Sequence, residues 1–195
     1  MTAMTISNSK EQFILRVNQE VSAQLDKIIE KMQTLAENFS IQEDTAKSPF
    51  KNVLSVSTDL STSLEVIKNF IRYQVGRQGA SDVWKKKGFA NALVQDIDSL
   101  SGDADAILAR IKQSCHDENS SEKAVKQYIE QNTGEIIRSL HLQLAQLYLG
   151  YLSREHTARL GEKPNQSQED NSSSEALPQN KKGYDKPNRK PTSKR

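Results

Sequence analysis

Apolar side chains return at helical intervals over most of the first 160 residues. From Ser9, which with Gln12 makes a capping-box pattern, they fall at Phe13, Val17, Val21, Leu25, Ile28, Met32, Leu35 and Phe39, the stripe of one amphipathic helix of about 30 residues. A polar linker, SIQEDTAKSP, then breaks the period. Ser48 followed by Pro49 is a helix start, because proline at the first helical position gives up no hydrogen bond that the helix needs. The helix it opens carries Phe50, Val53, Leu54 and Leu60. Thr62 with Glu65 forms a second capping box, and the helix after it runs to Gly76.

Further helices are expected over about 81–100 (Trp84, Phe89, Leu93, Ile97), 104–114 (Ile107, Leu108, Ile111) and 121–131 (Val125, Tyr128, Ile129). The last runs from about Glu135 to Leu160, and its stretch IIRSLHLQLAQLYLGYL is apolar on most sides, as a helix surrounded by others should be. Strand-like alternation is missing, and the valines sit at helical spacing. The expected fold class is all-α: a helical bundle of about six to seven helices with a long N-terminal helix and a disordered basic C-terminal tail. Three regions follow: residues 1–44 as an amphipathic helix extension, 45–160 as the bundle, and 161–195 as the tail.

Composition supports the last division. Hydrophobic residues make up 35% of the chain and mean hydropathy is −0.72, so part of the chain should lie outside any core. The text after Gly161, EKPNQSQEDNSSSEALPQNKKGYDKPNRKPTSKR, is poor in large apolar residues and cannot offset its ordering entropy. No uninterrupted apolar run of about 18 residues is present, and the opening MTAMTISNSKEQ lacks the basic-then-apolar pattern of a secretory signal. With Cys115 as the single cysteine, the expectation is a cytoplasmic protein with no membrane partner.

Charge divides unevenly. Residues 1–46 carry a net charge of −3, 47–87 carry +5, 88–180 carry −6 and 181–195 carry +6, so two basic blocks interrupt an acidic protein. Catalytic chemistry finds little to use. His116, His141 and His156 are scattered without metal-ligand spacing, and no glycine-rich phosphate loop follows a strand. Asp96, Asp98, Asp103 and Asp105 read as carboxylates that cap and complement a helix-to-helix junction over Ser101–Asp105. No cofactor, no metal and no enzymatic activity are expected.

The inner basic block is more informative. On a helical wheel Leu64, Ile67, Phe70, Ile71 and Val75 cover one broad arc, while Glu65, Lys68, Asn69, Arg72 and Gly76 share the narrow opposite one. Gly76 then ends the helix, and Arg77 projects from a short loop closed by Gly79. One reading makes Gly76 a helix cap and Arg77 a cation that complements the helix C-terminus. The other joins Arg77 to Lys47, Lys51, Lys68, Arg72, Lys85, Lys86 and Lys87 as a rigid ridge facing phosphates.

At these residues the chain resembles a family. The order KSPFKNVLSVSTDL, FIRYQVGRQGA, LHLQLAQLYLGYL is similar to the small subunit of type III-A CRISPR-Cas effector (Csm) complexes. The matching positions are Ser48, Lys51, Asn52, Val53 and Leu54 in the first motif and Tyr73, Gln74, Gly76 and Arg77 in the second, within roughly residues 45–155. Pro49 departs from the family pattern, which commonly has a basic residue there. The resemblance implies a non-catalytic helical subunit that stacks in several copies between the backbone subunits and the large subunit of an antiviral ribonucleoprotein. There it would touch the phosphates of CRISPR RNA and target RNA without reading sequence. It assigns RNA contacts first to Lys51 and Arg77. The wheel extends them to Lys68 and Arg72, and the charge block to Lys47, Lys85, Lys86 and Lys87. A helical protein-protein adaptor with no nucleic-acid role is the alternative.

Overall fold

An apolar stripe on a helix is stable in water only when another helix covers it, and each stripe described above finds such a cover. A computed structural model of the chain describes residues 2–46, 48–115 and 120–162, the first eight of them by backbone alone. All the described regular structure is helical: α1 (Thr2–Asn38), a 3-10 turn (Ile41–Glu43), α2 (Lys51–Ser57), α3 (Leu64–Gly76), α4 (Asp82–Lys85), α5 (Phe89–Ser114) and α6 (Ser120–Gly161). Helix α6 is central, lying against α1, α5 and α2, while α3 sits at the edge on α2 and α5. No described helix is long and apolar enough to cross a membrane.

The core runs along these contacts. Ile28, Met32, Leu35 and Ala36 of α1, Leu93, Ile97, Leu100 and Ile107 of α5, and Leu144, Tyr148, Leu149 and Leu152 of α6 form one buried cluster. At about 1.5–3 kcal/mol for each large side chain removed from water, this burial is the main source of stability. It also makes α1 a wall of the bundle and not an appended extension. Trp84 meets Phe50 and Phe89 edge to face at ring distances of 5.5 and 5.4 Å, Phe50 and Phe89 lie tilted at 6.0 Å, and Phe39 and His156 close the cluster. The Trp84 indole N–H donates to the Pro49 carbonyl at 3.0 Å, which leaves its polar edge satisfied.

Around that aromatic cluster the chain is knotted by Asp44, a carboxylate only 2% exposed. Its Oδ1 accepts from the Ala46 N–H and its Oδ2 from the Val83 N–H, both at 2.8 Å, while its backbone carbonyl accepts from His156 Nε2 at 2.9 Å. The turn after α1, the start of α4 and the end of α6 are thereby joined at one residue. Gly88, at φ +88, turns the chain from α4 into α5 in a conformation that side-chain-bearing residues disfavour.

Several boundaries differ from the sequence expectation. Helix α1 begins at Thr2, so the Ser9–Gln12 pair lies within the helix and not at its start. Helix α2 starts at Lys51, two residues after Pro49, and Leu60 falls beyond its end, fully exposed. Ser63, not Thr62, caps α3, its hydroxyl accepting from the Val66 N–H at 3.4 Å. The junction expected over Ser101–Asp105 does not exist, because α5 runs straight through it. Asp96 instead takes the Tyr148 phenol, Asp98 takes Lys68 and Asp103 takes Lys27, so these acids are tertiary ties and not caps. The break expected between 131 and Glu135 is present, by contrast: within α6 two helical segments meet at a kink where Asn132 has non-helical backbone (φ −119, ψ 15), its side-chain amide donating to the Tyr128 carbonyl at 2.8 Å. The tail beyond residue 162, Lys47 and His116 lie outside the described residues.

Candidate nucleic-acid interface

Helix α3 carries the inner part of the basic block, and its burial decides which cations are available. Ile67, Ile71 and Gln74 form its buried face. Val75, placed by the wheel in the buried arc, is 50% exposed, and Gln74 takes the inward position instead. Val66 and Tyr73 are exposed as well, with Phe70 half-buried beneath Tyr73 at a ring distance of 5.7 Å.

The wheel made Lys68 and Arg72 equivalent neighbours, and the fold separates them. Lys68 Nζ lies 2.5 Å from Glu65 and 2.9 Å from Asp98, and those hydrogen bonds, Glu65 first, raise its pKa above that of an ordinary lysine. Arg72 is exposed and has no hydrogen bond or ion pair among the described residues.

Helix α3 ends differently from the expectation too. Gly76 is its last helical residue with an ordinary backbone, and Arg77, in extended conformation (φ −74, ψ 129), occupies the cap position. The turn that follows is closed by the Ala80 N–H on the Arg77 carbonyl at 3.1 Å, and Gly79 supplies the positive φ of +73 that it requires. The Arg77 side chain is half-buried, with Nε enclosed and without a partner among the described residues.

The lysine run 85–87 also divides. Lys85 pairs with Asp82 at 2.9 Å, a contact that lowers the pKa of the Asp82 carboxyl. Lys86 donates to the Phe39 and Ser40 carbonyls at 2.8 and 3.0 Å and pairs with Glu43, so it serves the C-terminus of α1, where a cation complements the helix dipole. Lys87 is exposed and unpaired among the described residues. Lys51, at the start of α2, is likewise exposed and unpaired among the described residues, but it lines a groove against α6 that no residue of α3 or α4 lines.

Of the eight basic residues singled out by sequence, three are therefore engaged internally (Lys68, Lys85, Lys86). Arg77 is half sunk, Lys51, Arg72 and Lys87 are offered to solvent, and Lys47 is outside the described residues. The groove beside Lys51 adds two residues that sequence reading passed over. Arg154 lies over the Tyr151 ring at 5.3 Å, both on the rim of α6 that faces α2. The available signal was an arginine three positions after a tyrosine on the polar edge of an otherwise apolar helix.

The histidines are structural where described. His141 Nε2 meets the Ile97 carbonyl at 2.7 Å, and buried His156 holds Asp44. No group of His, Cys, Asp and Glu among the described residues is arranged to hold a metal ion.

What fold and surface define together is a helical bundle that carries, on its helices and one turn, exposed cations without an ion pair among the described residues. Comparison with protein-family models, with curated protein sequences and with solved structures returns no match to this chain.

Proposed function

We propose that the chain is a non-catalytic small subunit of a type III CRISPR-Cas ribonucleoprotein, stacking in several copies and binding the phosphate backbone of guide and target RNA without sequence specificity. The motifs centred on Lys51 and Arg77 suggest it, and the observation that carries it is the state of the cations. Lys51, Arg72 and Lys87 are exposed on helices or beside them with no carboxylate partner among the described residues, whereas Lys68, Lys85 and Lys86 of the same basic block are paired. Cations fixed on a packed scaffold can neutralise phosphates with little further ordering, and such contacts position an RNA strand without reading its bases. Each copy would supply only a few contacts, so affinity would come from the assembled array.

Ultraviolet cross-linking of the assembly purified from its native source tests this. Cross-linked peptides should map to 64–87 and to the start of α2, and the copurified RNA should have a uniform length. An assembly free of RNA would refute the proposal.

A second reading draws on one observation, the exposure of Val66, Tyr73 and Val75 on α3. That face could dock a protein partner, and the chain would then be a helical adaptor. In that case changing Tyr73 would dissolve a protein complex that nuclease treatment leaves intact.

A further inference from the structure

The groove between α2 and α6 encloses about 620 Å³, within the range of sites that hold a single small molecule and too small to admit a duplex. Its lining is of one sign. Lys51 and Arg154 contribute cations, none of the lining residues is acidic, and Gln143, Gln146 and Ser55 contribute neutral polar groups around a half-buried Tyr151. Gln146 is held in place by donating to the Ser57 carbonyl at 2.6 Å, which fixes its amide at the groove wall with its oxygen still unused. On the floor, a Cβ built at Gly150 would meet no atom within 4 Å, so the space there is open.

We propose that this groove seats one unstacked nucleotide of a single-stranded RNA, its phosphate held by Lys51 and Arg154 and its base laid on Tyr151. The inference rests on the RNA-binding reading above and assigns a second, base-contacting element to it. The chemistry argues for a nucleotide over other anions. Two cations alone would suit any phosphate or carboxylate, but the Tyr151 ring face, now covered by Arg154, becomes a surface on which a base can stack once that guanidinium turns to the phosphate. Fixed amides beside it can bond to base edges. A single-stranded loop or end presents such a base, whereas a regular duplex keeps its bases stacked away from any shallow groove.

The test follows backbone amide resonances of the isotopically labelled full-length chain during titration with a short oligouridylate. Parallel titrations use an abasic oligomer of equal length and a polyglutamate peptide of equal charge. Gly150→Leu places a side chain on the groove floor from a position where the Cβ meets no atom within 4 Å, and it serves beside Arg154→Gln, an exposed substitution, with unchanged melting temperatures showing that loss of binding is not loss of fold.

The expected result is a set of shifts at residues around Tyr151 that saturates with oligouridylate. It should weaken at least about fivefold in Gly150→Leu and again with the abasic oligomer, as loss of one stacked base implies. Equal affinity for the abasic oligomer or for polyglutamate would overturn the nucleotide assignment. Shifts confined to Arg72, Lys87 and their neighbours would also overturn the groove while leaving the phosphate-binding reading standing. Absence of shifts anywhere on the chain would overturn the groove, while the phosphate-binding reading is decided by the cross-linking of the assembly, where its affinity arises.

Discussion

Lys68 and Arg72 are one helical turn apart, carry the same charge and are indistinguishable by sequence pattern, yet the fold predicts opposite consequences for removing them. Lys68 keeps only 13% of its side chain exposed and is held by Glu65 and Asp98. Both partners are themselves half or more exposed, so screening limits each pair to a few tenths to about 1 kcal/mol. Lys68→Ala should therefore lower stability by about 1 kcal/mol, a fall in melting temperature of about 2–4 °C for a domain of this size.

It should leave RNA affinity in the assembled complex unchanged, since that ammonium is already neutralised. Arg72→Ala reverses the pattern. With no internal partner to lose, stability should stay within about 0.5 kcal/mol of the parent. Removing one phosphate contact per copy should make the slope of log affinity against log salt shallower by about 0.7 per contact on single-stranded RNA.

Thermal melts of the isolated chain and filter binding of the complex across a salt series measure the two quantities separately. Equal loss of RNA affinity in both variants would refute the reasoning, because it would mean that internal pairing does not decide which cations reach the phosphates.

Asp44→Ala orphans the buried Val83 N–H and frees the partly buried Ala46 N–H, and at about 1–3 kcal/mol for the first and about 0.5–1 kcal/mol for the second it should cost about 1.5–4 kcal/mol in denaturant unfolding. Asp44→Asn, which keeps one acceptor oxygen, should recover roughly half of that loss. The buried Tyr148 phenol, its pKa raised by burial and then by its bond to Asp96, keeps its proton in the folded state at pH values where the unfolded chain releases it. The native state then binds more protons than the unfolded one, so stability is full below about pH 10 and falls as pH rises beyond it. Tyr148→Phe should cost about 1.5–3 kcal/mol at neutral pH and flatten the tyrosine part of that alkaline decline in pH-dependent melts. Gly150→Ala, in mid-helix with open space around the new methyl, should raise stability by about 0.8–1 kcal/mol, and a lower melting temperature would contradict the open floor of the groove.

The helices were legible because their apolar stripes are local signals. Phe13 to Phe39 and Val125 to Leu152 repeat often enough that no tertiary information is needed to place them. What escaped was set at long range. The acids at 96–105 resemble caps until Tyr148 and Lys27, from helices far along the chain, are seen to claim Asp96 and Asp103.

Gln74 displaced Val75 from the buried face because the neighbouring helices, not the wheel, fix where that face is centred. The candidate site suffered most from this. Whether a lysine is free depends on carboxylates such as Asp98 and Glu43, thirty and forty-three residues away from their partners, and no charge count over a window can reveal it. Arg154 was passed over for the complementary reason: alone on the rim of an apolar helix, it belongs to no basic run.

The bend at Asn132 makes the last helix a crank with two arms. One arm, before the bend, engages the early turns of α1 through Phe13 with Tyr128, Gln12 with Ser121 and Arg16 with Glu122. The other threads the main core and carries Tyr151 and Arg154. A pull or a docked partner at the first arm would be transmitted as a torque about Asn132, with the long core-filling arm acting as the anchored shaft. Breathing of the chain should therefore begin at the end where α1 starts, and hydrogen exchange there should outpace that of the shaft without disturbing the groove at its far side.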